Sequence, residues 1–374
     1  MKTILEGSKA VARTVALCRP HVIPAYPITP STHIPEELSK ELADYEFIPV
    51  EAEFSAMSAC IGASAAGARA FTATSSQGLA LMHEALHNAS GMRLPIVMAV
   101  ANRALSAPMN IWCDWQDSVS QRDTGWMQFY CKNNQEVVDT MIQSFRLAEK
   151  VQFPIMVCMD GFYLTHEISP IDLPVQEEVD GFLPAFKPRF SLDVDDVHSF
   201  GTFFPPAHYH DAKRDQQKEM LAVFPHVELV AKEFGEKFGR EQFGVLEEYF
   251  MKNSQVVFVS MGALAENVEL VVDSLREKGE HVGLLRVKCF RPFPSVQFAR
   301  ALENARAVVV LEKDFSPGLE GALATEVKAA LQDARERPSV LSVVCGLGGR
   351  DVTLKEIESV FERAKGGETG PTWL

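Results

Sequence analysis

Short, almost wholly apolar runs alternate with helix-like segments along most of this 374-residue chain. "PIVMAVANR" and "FPIMVCMDG" are two such runs, and segments such as "FSAMSACIGASAAG" and "GLALMHEALHNASG" separate runs of this kind. A strand that is apolar on both faces must be covered on both faces, and helical crossovers between parallel strands achieve this. The pattern therefore predicts an α/β protein built on parallel sheets.

The alternation runs to about residue 165, stops, and resumes after about residue 250. A chain of this length exceeds one ordinary domain, so two domains with a connection are expected. We predict a first α/β domain over residues 1–165, an extended and helical connecting segment over 166–250, and a smaller α/β domain over 251–374. The glycine-rich ending "AKGGETGPTWL" predicts a loose terminus, unless a neighbouring segment holds it.

The acidic composition argues against nucleic-acid binding, because the formal net charge is −14 and nucleic acid requires a basic face. The start of the chain has no signal-peptide pattern, and no apolar run approaches the roughly 18 residues of a spanning helix, so we expect a cytoplasmic protein. None of the seven cysteines lies in a C-x-x-C pair. We therefore predict neither an iron–sulfur cluster nor a zinc site in this chain.

Two other stretches have the composition of ligand sites. "GLGGRD" at residues 346–351 lacks the third glycine of G-x-G-x-x-G, since Asp351 stands there, and no βαβ unit follows it. His208 and His210 could share one face of a strand and bind a metal. No third ligand is identifiable, which favours surface or interface histidines, so we predict no metal ligand.

Glu53 is the last residue of the strand-like run "FIPVEAE", and an apolar helix-like run follows it directly. Functional groups of open parallel sheets collect at the carboxyl ends of strands, and a carboxyl group there is partly desolvated. Thiamine diphosphate needs such a group, because a proton shared with N1′ of its aminopyrimidine ring activates the cofactor. By itself the stretch favours a simpler interpretation, a glutamate placed at a helix N-terminus by the helix dipole.

Several longer stretches together change that balance: "AYPITPST", "VEAEFSAMSACIGASAAG", "AFTATSSQGLALMHE", "ANRALSAPMNIWCDWQDS", "RDTGWMQFY" and "GLGGRDVT". In order, over residues 1–165 and again from about 250 to the end, the chain closely resembles the alpha subunits of the 2-oxoacid:ferredoxin oxidoreductases of anaerobic metabolism. The motifs are long and nearly unbroken, so they identify the family far more specifically than the substrate.

The resemblance implies a thiamine pyrimidine-binding domain followed by a smaller transketolase-C-terminal-like domain. It assigns Glu53 as the glutamate that activates the cofactor, and Thr29 and Arg103 as residues that line the 2-oxoacid site. An arginine suits this role, because its planar fork donates parallel hydrogen bonds to a carboxylate. From the residues alone, an ion pair for Arg103 and a turn hydroxyl for Thr29 remain open.

The loop "TSSQG" follows the predicted strand "ARAFTAT". Ser75 or Ser76 is expected to cap the helix that comes next. Because this loop lies at the carboxyl edge of the sheet, Ser75, Ser76 and Gln77 can also approach the cofactor.

In the later stretch "NIWCDWQDS", Asp114 and Asp117 fit either a pocket wall or a structural role.

Part of the expected cofactor motif is missing. Mg²⁺ and the diphosphate are held in such enzymes by G-D-G and an Asn roughly 25 to 30 residues later, and only "MDGFYLT" at Met159–Thr165 comes near this pattern. The chain should therefore supply half a cofactor site, and a beta subunit the Mg²⁺ and diphosphate ligands. The resemblance also implies ferredoxin-like gamma and delta subunits that carry the iron–sulfur clusters, with ferredoxin as electron acceptor.

The activity implied by the resemblance is oxidative decarboxylation of a 2-oxoacid, most directly pyruvate, with transfer of the acyl group to coenzyme A. The same chemistry on a branched-chain or aryl 2-oxoacid, such as phenylglyoxylate, is an alternative. A non-catalytic scaffold subunit and a non-oxidative thiamine-dependent decarboxylase are further alternatives.

Overall fold

The fold is taken from a computed structural model, which describes residues 2–40, 44–334 and 337–374. No helix in these ranges is both long and apolar enough to cross a bilayer. The elements of the first half are β1 (Lys2–Glu6), α1 (Gly7–Leu17), β2 (Val22–Ala25), α2 (His33–Leu38), β3 (Glu46–Pro49), α3 (Glu53–Ala65), β4 (Phe71–Thr74), α4 (Ser76–Leu81), α5 (His83–Gly91), β5 (Val97–Asn102), α6 (Gln116–Val119), β6 (Met127–Tyr130), α7 (Asn134–Val151), β7 (Ile155–Asp160) and β8 (Ile168–Asp172).

The elements that follow are α8 (Gln176–Asp180), α9 (Pro206–Leu221), α10 (Phe224–Phe238), β9 (Leu246–Tyr249), β10 (Val256–Ser260), α11 (Leu264–Glu277), β11 (Val282–Val287), β12 (Cys289–Arg291), α12 (Ser295–Ala301), β13 (Ala307–Glu312), α13 (Ala322–Ala330), β14 (Ser339–Val344), a 3-10 turn (Leu347–Gly349), α14 (Leu354–Lys365) and β15 (Gly370–Trp373).

The sheet of the first half has five strands in the order β12–β6–β7–β5–β4. Strands β4, β5, β6 and β7 run parallel, and β12 lies antiparallel to β6 at one edge. Every residue of β5 and β7 is buried, as their apolar runs predict. The parallel pair β2–β3 continues past β4 through a bridge between Val22 and Ala70. The predicted α/β class with parallel sheets is confirmed.

The sheet of the second half has six strands in the order β15–β14–β13–β10–β11–β9, and all are parallel except β9. The C-terminus is not loose but is held by its neighbours, which is the exception that the sequence left open: β15 pairs with β14, and Trp373 packs against Phe315 with ring centroids 5.3 Å apart. The open edge of β14 supplies backbone partners that outweigh the glycine content of the segment.

Two strands pair outside the part of the chain to which the sequence assigned them. β9 comes from the predicted connecting segment but pairs with β11 in the second sheet, whereas β12 leaves the second half to pair with β6 in the first. The apolar stretch "HVGLLRVKCF" forms two strands, β11 and β12, which are divided at Lys288, where the N–H groups of Lys288 and Cys289 both donate to Val245 O. The proposed residue boundaries of the domains stay a prediction.

The connecting segment is helical in its second part. His208 and His210 lie two residues apart on the exposed helix α9, not on a strand, so they do not share one face as the metal alternative required. Helix α10 packs against α7. Ahead of these helices, Phe186, residues 188–190 and residues 198–204 border a cavity of about 1140 Å³ at the amino-terminal ends of β5 and β7, on the side away from the predicted site.

Buried ion pairs join the two sheets. Arg286 on β11 contacts Glu136 of α7 (2.7 Å) and Glu247 of β9. Lys132, in the loop before α7, contacts Glu247 and Glu269 at 2.8 Å each. Removing one partner of such a pair would leave a buried charge uncompensated, so these contacts fix how the sheets sit against each other.

Candidate functional site

The carboxyl ends of four strands carry the polar residues that the sequence indicated. Glu53 begins α3 shortly after β3, and Ser75 follows β4 directly. Arg103 follows β5, and Asp160 is the last residue of β7. Ser75 Oγ donates to Ala101 O at 2.6 Å and ties two of these ends together. Parallel strands bring their carboxyl ends to one edge, so these residues lie along the same side of the protein.

Glu53 is only 6% exposed, unlike an ordinary glutamate in the first turn of a helix. Its carboxyl group faces Gly78 of α4: a Cβ at that glycine would lie 2.5 Å from Glu53 Oε1 and 2.6 Å from Thr74 Oγ1. Thr74 Oγ1 is itself buried and has no hydrogen-bond partner among the described residues. Glu53 is therefore largely removed from water, and glycine is needed at position 78 to leave room for it.

The prediction that Ser75 or Ser76 caps α4 with its side chain is wrong. Ser75 precedes the helix, but its hydroxyl donates to Ala101 O, and Ser76 Oγ lies 2.5 Å from Ala104 O. Asp117 caps the helix instead, since its Oδ2 accepts from Ser76 N at 2.9 Å. Ser76 also has a φ of +50°, in the left-handed region that few non-glycine residues adopt. Both hydroxyls thus anchor the loop to the end of β5.

Gln77 presents an amide donor without a partner. Its Oε1 lies 2.6 Å from Ser76 Oγ, whereas its Nε2 is buried and unpaired within the described part of the chain. An unsatisfied buried donor costs roughly 1–3 kcal/mol. Gln77 Nε2 and Thr74 Oγ1 are therefore two buried polar atoms, on the segments beside Glu53, whose hydrogen bonds a bound molecule would complete.

Asp117, whose role the sequence left open, organises this edge. Its Oδ1 accepts from Asn102 Nδ2 and Ser118 N at 2.8 and 2.7 Å, and its Oδ2 accepts from Ser76 N and Arg103 N at 2.9 Å each. Burial raises the pKa of Asp117 to about 6, although these hydrogen bonds lower it. Sequence alone gave no signal for this role, because the donors come from three separate segments.

Arg103 and Thr29 are brought into contact. Arg103 Nη1 donates to Thr29 O at 2.9 Å, and Nε donates to Asn110 O at 3.1 Å. Among the residues described, no carboxylate forms an ion pair with this guanidinium, and its Nη2 donates no hydrogen bond. Burial lowers the pKa of Arg103, and the charge of Asp117 opposes this. A cation held only by neutral carbonyl groups keeps its capacity to bind an anion.

The glycine loop of the second half packs against the loop that follows Arg103. Asn110 Nδ2 donates to Gly348 O at 3.1 Å, and Gly348 N donates to Asp114 Oδ2 at 3.3 Å. Gly348 and Gly349 have φ values of +57° and +81°, and a Cβ at either would lie 2.5 Å from Asn110 Nδ2 or Trp112 Cβ respectively. Both the backbone conformation and the close approach require glycine. Burial at this joint raises the pKa of Asp114 to about 7.

Asp160, the acid of the "MDG" stretch, is already paired. Its Oδ2 lies 2.6 Å from Lys313 Nζ, and its Oδ1 accepts from Trp115 Nε1 at 3.0 Å. Burial would lower the pKa of Lys313, but the charge of Asp160 beside it raises that pKa above its ordinary value. Because the Lys313 cation already lies against this carboxylate, a metal cation bound to Asp160 would be repelled by the lysine charge.

These observations fit one half of a thiamine diphosphate site. Glu53 offers a carboxyl group removed from water, and Thr74 Oγ1 and Gln77 Nε2 offer buried hydrogen-bonding atoms that lack partners in the described chain. Gly78 leaves the space in front of Glu53 open to it. The acid that comes nearest to a Mg²⁺–diphosphate motif, Asp160, is committed to an ion pair.

Two family descriptions match the sequence. "Pyruvate flavodoxin/ferredoxin oxidoreductase, thiamine diP-bdg" matches residues 13–232, and "Pyruvate:ferredoxin oxidoreductase core domain II" matches residues 254–357. The fold and these matches define a chain of a thiamine diphosphate-binding oxidoreductase, and the chain belongs to the pyruvate flavodoxin/ferredoxin oxidoreductase family. The resemblance drawn from the motifs is confirmed, as is the prediction of an enzyme subunit.

Individual relatives extend this result over the whole chain. It is 48% identical to pyruvate synthase subunit PorA of Methanothermobacter thermautotrophicus, over 99% of this chain and 97% of that one. It is 50% identical to the subunit of the same name from Methanosarcina barkeri, over 97% and 92% of the two chains. It is also 44% identical to ketoisovalerate oxidoreductase subunit VorA of Pyrococcus horikoshii, over 98% and 94%.

Solved structures share the fold. The 2-oxoglutarate:ferredoxin oxidoreductase of Magnetococcus marinus, with 2-oxoglutarate, coenzyme A and succinyl-CoA bound, superimposes with a TM-score of 0.76 at 19% identity, over 97% of this chain and 65% of that one. A split gene transketolase superimposes with a TM-score of 0.59 at 12% identity, over 96% and 98%. At these identities the comparison supports the architecture alone.

Proposed function

We propose that this chain is the alpha subunit of a multisubunit 2-oxoacid oxidoreductase that converts pyruvate and coenzyme A to acetyl-CoA and CO₂ while reducing an iron–sulfur acceptor. The observation that carries the proposal is the buried Glu53 facing Gly78, beside the unpartnered Thr74 Oγ1 and Gln77 Nε2. The identity of 48–50% to pyruvate synthase subunits supports pyruvate as the substrate.

Glu53 is the residue we assign to cofactor activation. Thiamine diphosphate, when bound, supplies a carbon nucleophile for the 2-oxo group and accepts the electron pair released on decarboxylation. Glu53 would share a proton between its carboxyl oxygen and N1′ of the aminopyrimidine ring, and low exposure to water strengthens that hydrogen bond. Gln77 Nε2 and Thr74 Oγ1 would bond to the cofactor's polar edge.

Contact of Ser75 and Ser76 with the cofactor stays a prediction, and the hydrogen bonds of their hydroxyls support a positioning role. Their hydroxyls are bonded to backbone carbonyls at the end of β5, so they position the loop and leave Gln77 as the loop residue with a free donor. We therefore assign Gln77 to cofactor contact, and Ser75 and Ser76 to holding the segment that carries it.

Arg103 and Thr29 form the side of the site that we assign to the 2-oxoacid carboxylate. Arg103 is buried, and its Nη2 is free to donate. Thr29 is exposed and adjoins the guanidinium through its carbonyl, which leaves its hydroxyl available to the substrate. A charge-assisted bond to the carboxylate would orient the 2-oxo carbon for attack.

The remaining parts of the reaction require other subunits. A beta subunit would supply the Mg²⁺ and diphosphate ligands, since Asp160 is engaged by Lys313 and Trp115. All seven cysteines of this chain are free, buried and scattered, so iron–sulfur clusters would be carried by ferredoxin-like gamma and delta subunits that pass electrons to ferredoxin. We place the complex in the cytoplasm.

Two alternatives have support of their own. The identity of 44% to a ketoisovalerate oxidoreductase subunit makes a branched-chain 2-oxoacid the nearest alternative substrate, and an aryl 2-oxoacid would need the same carboxylate contact. A non-catalytic scaffold is less well supported, because it would gain nothing from two unsatisfied buried polar atoms at Thr74 and Gln77.

Purification of the intact complex through this chain tests the proposal. Coenzyme A-dependent reduction of ferredoxin or a viologen dye is measured with pyruvate, 2-oxoisovalerate and phenylglyoxylate, together with the iron content. We expect pyruvate to have the highest kcat/KM in an iron-containing complex. Preference for another 2-oxoacid would select that substrate, and absence of reduction with every 2-oxoacid would contradict the proposal.

A further inference from the structure

Three potential metal ligands meet on the face formed by β1, β8 and α2. Glu6 ends β1, His33 begins α2, and His166 lies in the loop between β7 and β8. Each of the three can offer one ligand atom such that all three atoms lie within 4.8 Å of one another. The sequence predicted no metal ligand here, because the three residues come from segments far apart in the chain.

The backbone holds two of these residues side by side. Glu6 is opposite Ile168 in the antiparallel β1–β8 ladder. Just beyond it, Gly7 N donates to Glu167 O at 3.0 Å, and the next residue bonds in the same way to the carbonyl before His166. The relative position of Glu6 and His166 is therefore set by main-chain hydrogen bonds and does not depend on side-chain packing alone.

The two imidazoles offer their ligand nitrogens in different ways. His33 Nδ1 lies 2.5 Å from Glu6 Oε1, so an ion bound by both atoms would take the place of the proton between them. His166 Nδ1 lies 2.7 Å from Thr165 Oγ1. In the tautomer in which this Nδ1–H donates, His166 Nε2 carries a free lone pair, and a hydrogen-bonded partner on the other ring nitrogen is usual for a metal-bound histidine.

The charges also suit a cation. The rings of His33 and His166 lie with their centroids 4.9 Å apart, and the carboxyl group of Glu6 lies beside them. A cation bound by the three ligand atoms would therefore be surrounded by two imidazoles and a carboxylate.

We infer that Glu6, His33 and His166 bind a divalent first-row transition metal ion, with Zn²⁺ as the reference ion. Two imidazoles and a carboxylate suit this class of metal better than Mg²⁺ or Ca²⁺, which prefer oxygen ligands. In a tetrahedral zinc site the ligand atoms lie about 3.3 Å apart, so these partly exposed side chains need only small rotations, and water would complete the set.

The bound ion would connect two parts of the fold. It would cross-link the start of α2, four residues after Thr29, to the β1–β8 ladder. The same histidines continue a column of rings, His33–His166–Phe162–Trp112, with centroid distances of 4.9, 4.8 and 4.6 Å. A metal at this place would therefore steady both the Thr29 segment and the Trp112 loop.

The test is Zn²⁺ binding to the full-length chain after dialysis against a chelator, measured by calorimetry and by metal analysis. We expect one Zn²⁺ per chain and a higher thermal midpoint in its presence. Glu6→Gln, His33→Gln and His166→Gln should each weaken binding by about tenfold or more. The seven cysteines are buried, so they do not compete in the folded protein.

Two controls separate this site from non-specific binding. The double substitution His208→Gln, His210→Gln removes exposed histidines on α9 and should change nothing. His87→Gln breaks the His83–His87 pair on α5, the other close pair of histidine rings in the described chain. Absence of Zn²⁺ binding by the wild type, equal binding by folded His33→Gln and His166→Gln, or loss of binding in His87→Gln would each overturn the inference.

Discussion

At the scale of single residues, two glutamates only two positions apart have opposite surroundings. Glu51 is exposed, and the hydroxyl of Ser55 donates to its carboxylate at 2.5 Å, which lowers its pKa. Glu53 starts α3 with its side chain directed at Gly78, and it is 6% exposed. The chain therefore offers a matched pair of carboxylates, one at the proposed cofactor site and one beside it.

Glu53→Gln should leave the complex assembled but lower kcat by about 10²- to 10⁴-fold, because an amide cannot share the proton that activates the cofactor. Steady-state assay of the purified complex measures the effect, and gel filtration checks assembly. Glu51→Gln is the control and should retain near-normal turnover. Equal activity of the two variants would remove Glu53 from the mechanism.

Arg103→Lys should separate substrate binding from cofactor activation. Lysine keeps the charge but loses the planar fork, so KM for the 2-oxoacid should rise by roughly tenfold or more. Exchange of the C2 proton of bound thiamine diphosphate, measured by NMR without substrate, should stay close to wild type. A parallel loss of substrate affinity and of C2 proton exchange would show that Arg103 supports the structure of the site and does not bind the substrate carboxylate.

At the scale of secondary-structure elements, α4 approaches the start of α3 so closely that position 78 has no space for a side chain. Gly78→Ala should gain helix propensity yet slow turnover by about tenfold or more, because the new methyl group displaces the carboxyl group of Glu53. Gly62→Ala, on α3, meets no atom within 4 Å and should leave activity unchanged. Comparison of kcat for the two variants decides whether the α3–α4 contact sets the position of Glu53.

The joint between the Asn110–Asp114 loop and the glycine loop predicts a pH dependence. Burial raises the pKa of Asp114 in the folded protein from 3.8 to about 7, so between pH 4 and 7 the folded state binds the extra proton. Stability from this group therefore falls as pH rises through that window and is constant above it. A pKa difference of one corresponds to about 1.4 kcal/mol, which makes the full change as large as about 4 kcal/mol.

Thermal midpoints of wild type and Asp114→Asn, measured from pH 4 to 8, test this expectation. The midpoint of the wild type should fall relative to that of the variant as pH rises to 7, and the difference should then level off. Asp351→Asn, an exposed acid next to the same glycine loop, is the control and should follow the wild type. A difference that grows with pH would contradict the assigned environment of Asp114.

Elements that depend on local pattern could be predicted from the sequence, whereas contacts between distant segments could not. The buried strands β5 and β7 follow from their apolar runs, and the motif set was enough to indicate the family. The hydroxyls of Ser75 and Ser76 have the chemistry of a helix cap, but nearby carbonyls of β5 compete for them and Asp117 takes their place. The burial of Glu53 against Gly78 and the pairing of Asp160 with Lys313 are likewise set by tertiary packing.

At the scale of the whole molecule, the two halves are interlocked. β12 extends the first sheet, β9 extends the second, and the pairs Arg286–Glu136 and Lys313–Asp160 are buried between them. Lys313 of the second half thus already pairs with Asp160, the acid that comes closest to a diphosphate-binding motif. This pairing supports our proposal that another subunit supplies the Mg²⁺ and diphosphate ligands of the cofactor site.

The central claim, that this chain supplies the aminopyrimidine half of a shared thiamine diphosphate site, is tested most directly by calorimetry with thiamine diphosphate and Mg²⁺. The isolated chain, the complete complex, and the complex carrying Glu53→Gln are titrated in parallel. We predict no tight binding to the isolated chain, and stoichiometric binding to the complete complex that weakens with Glu53→Gln. Tight, stoichiometric binding of thiamine diphosphate to the isolated chain would contradict the account.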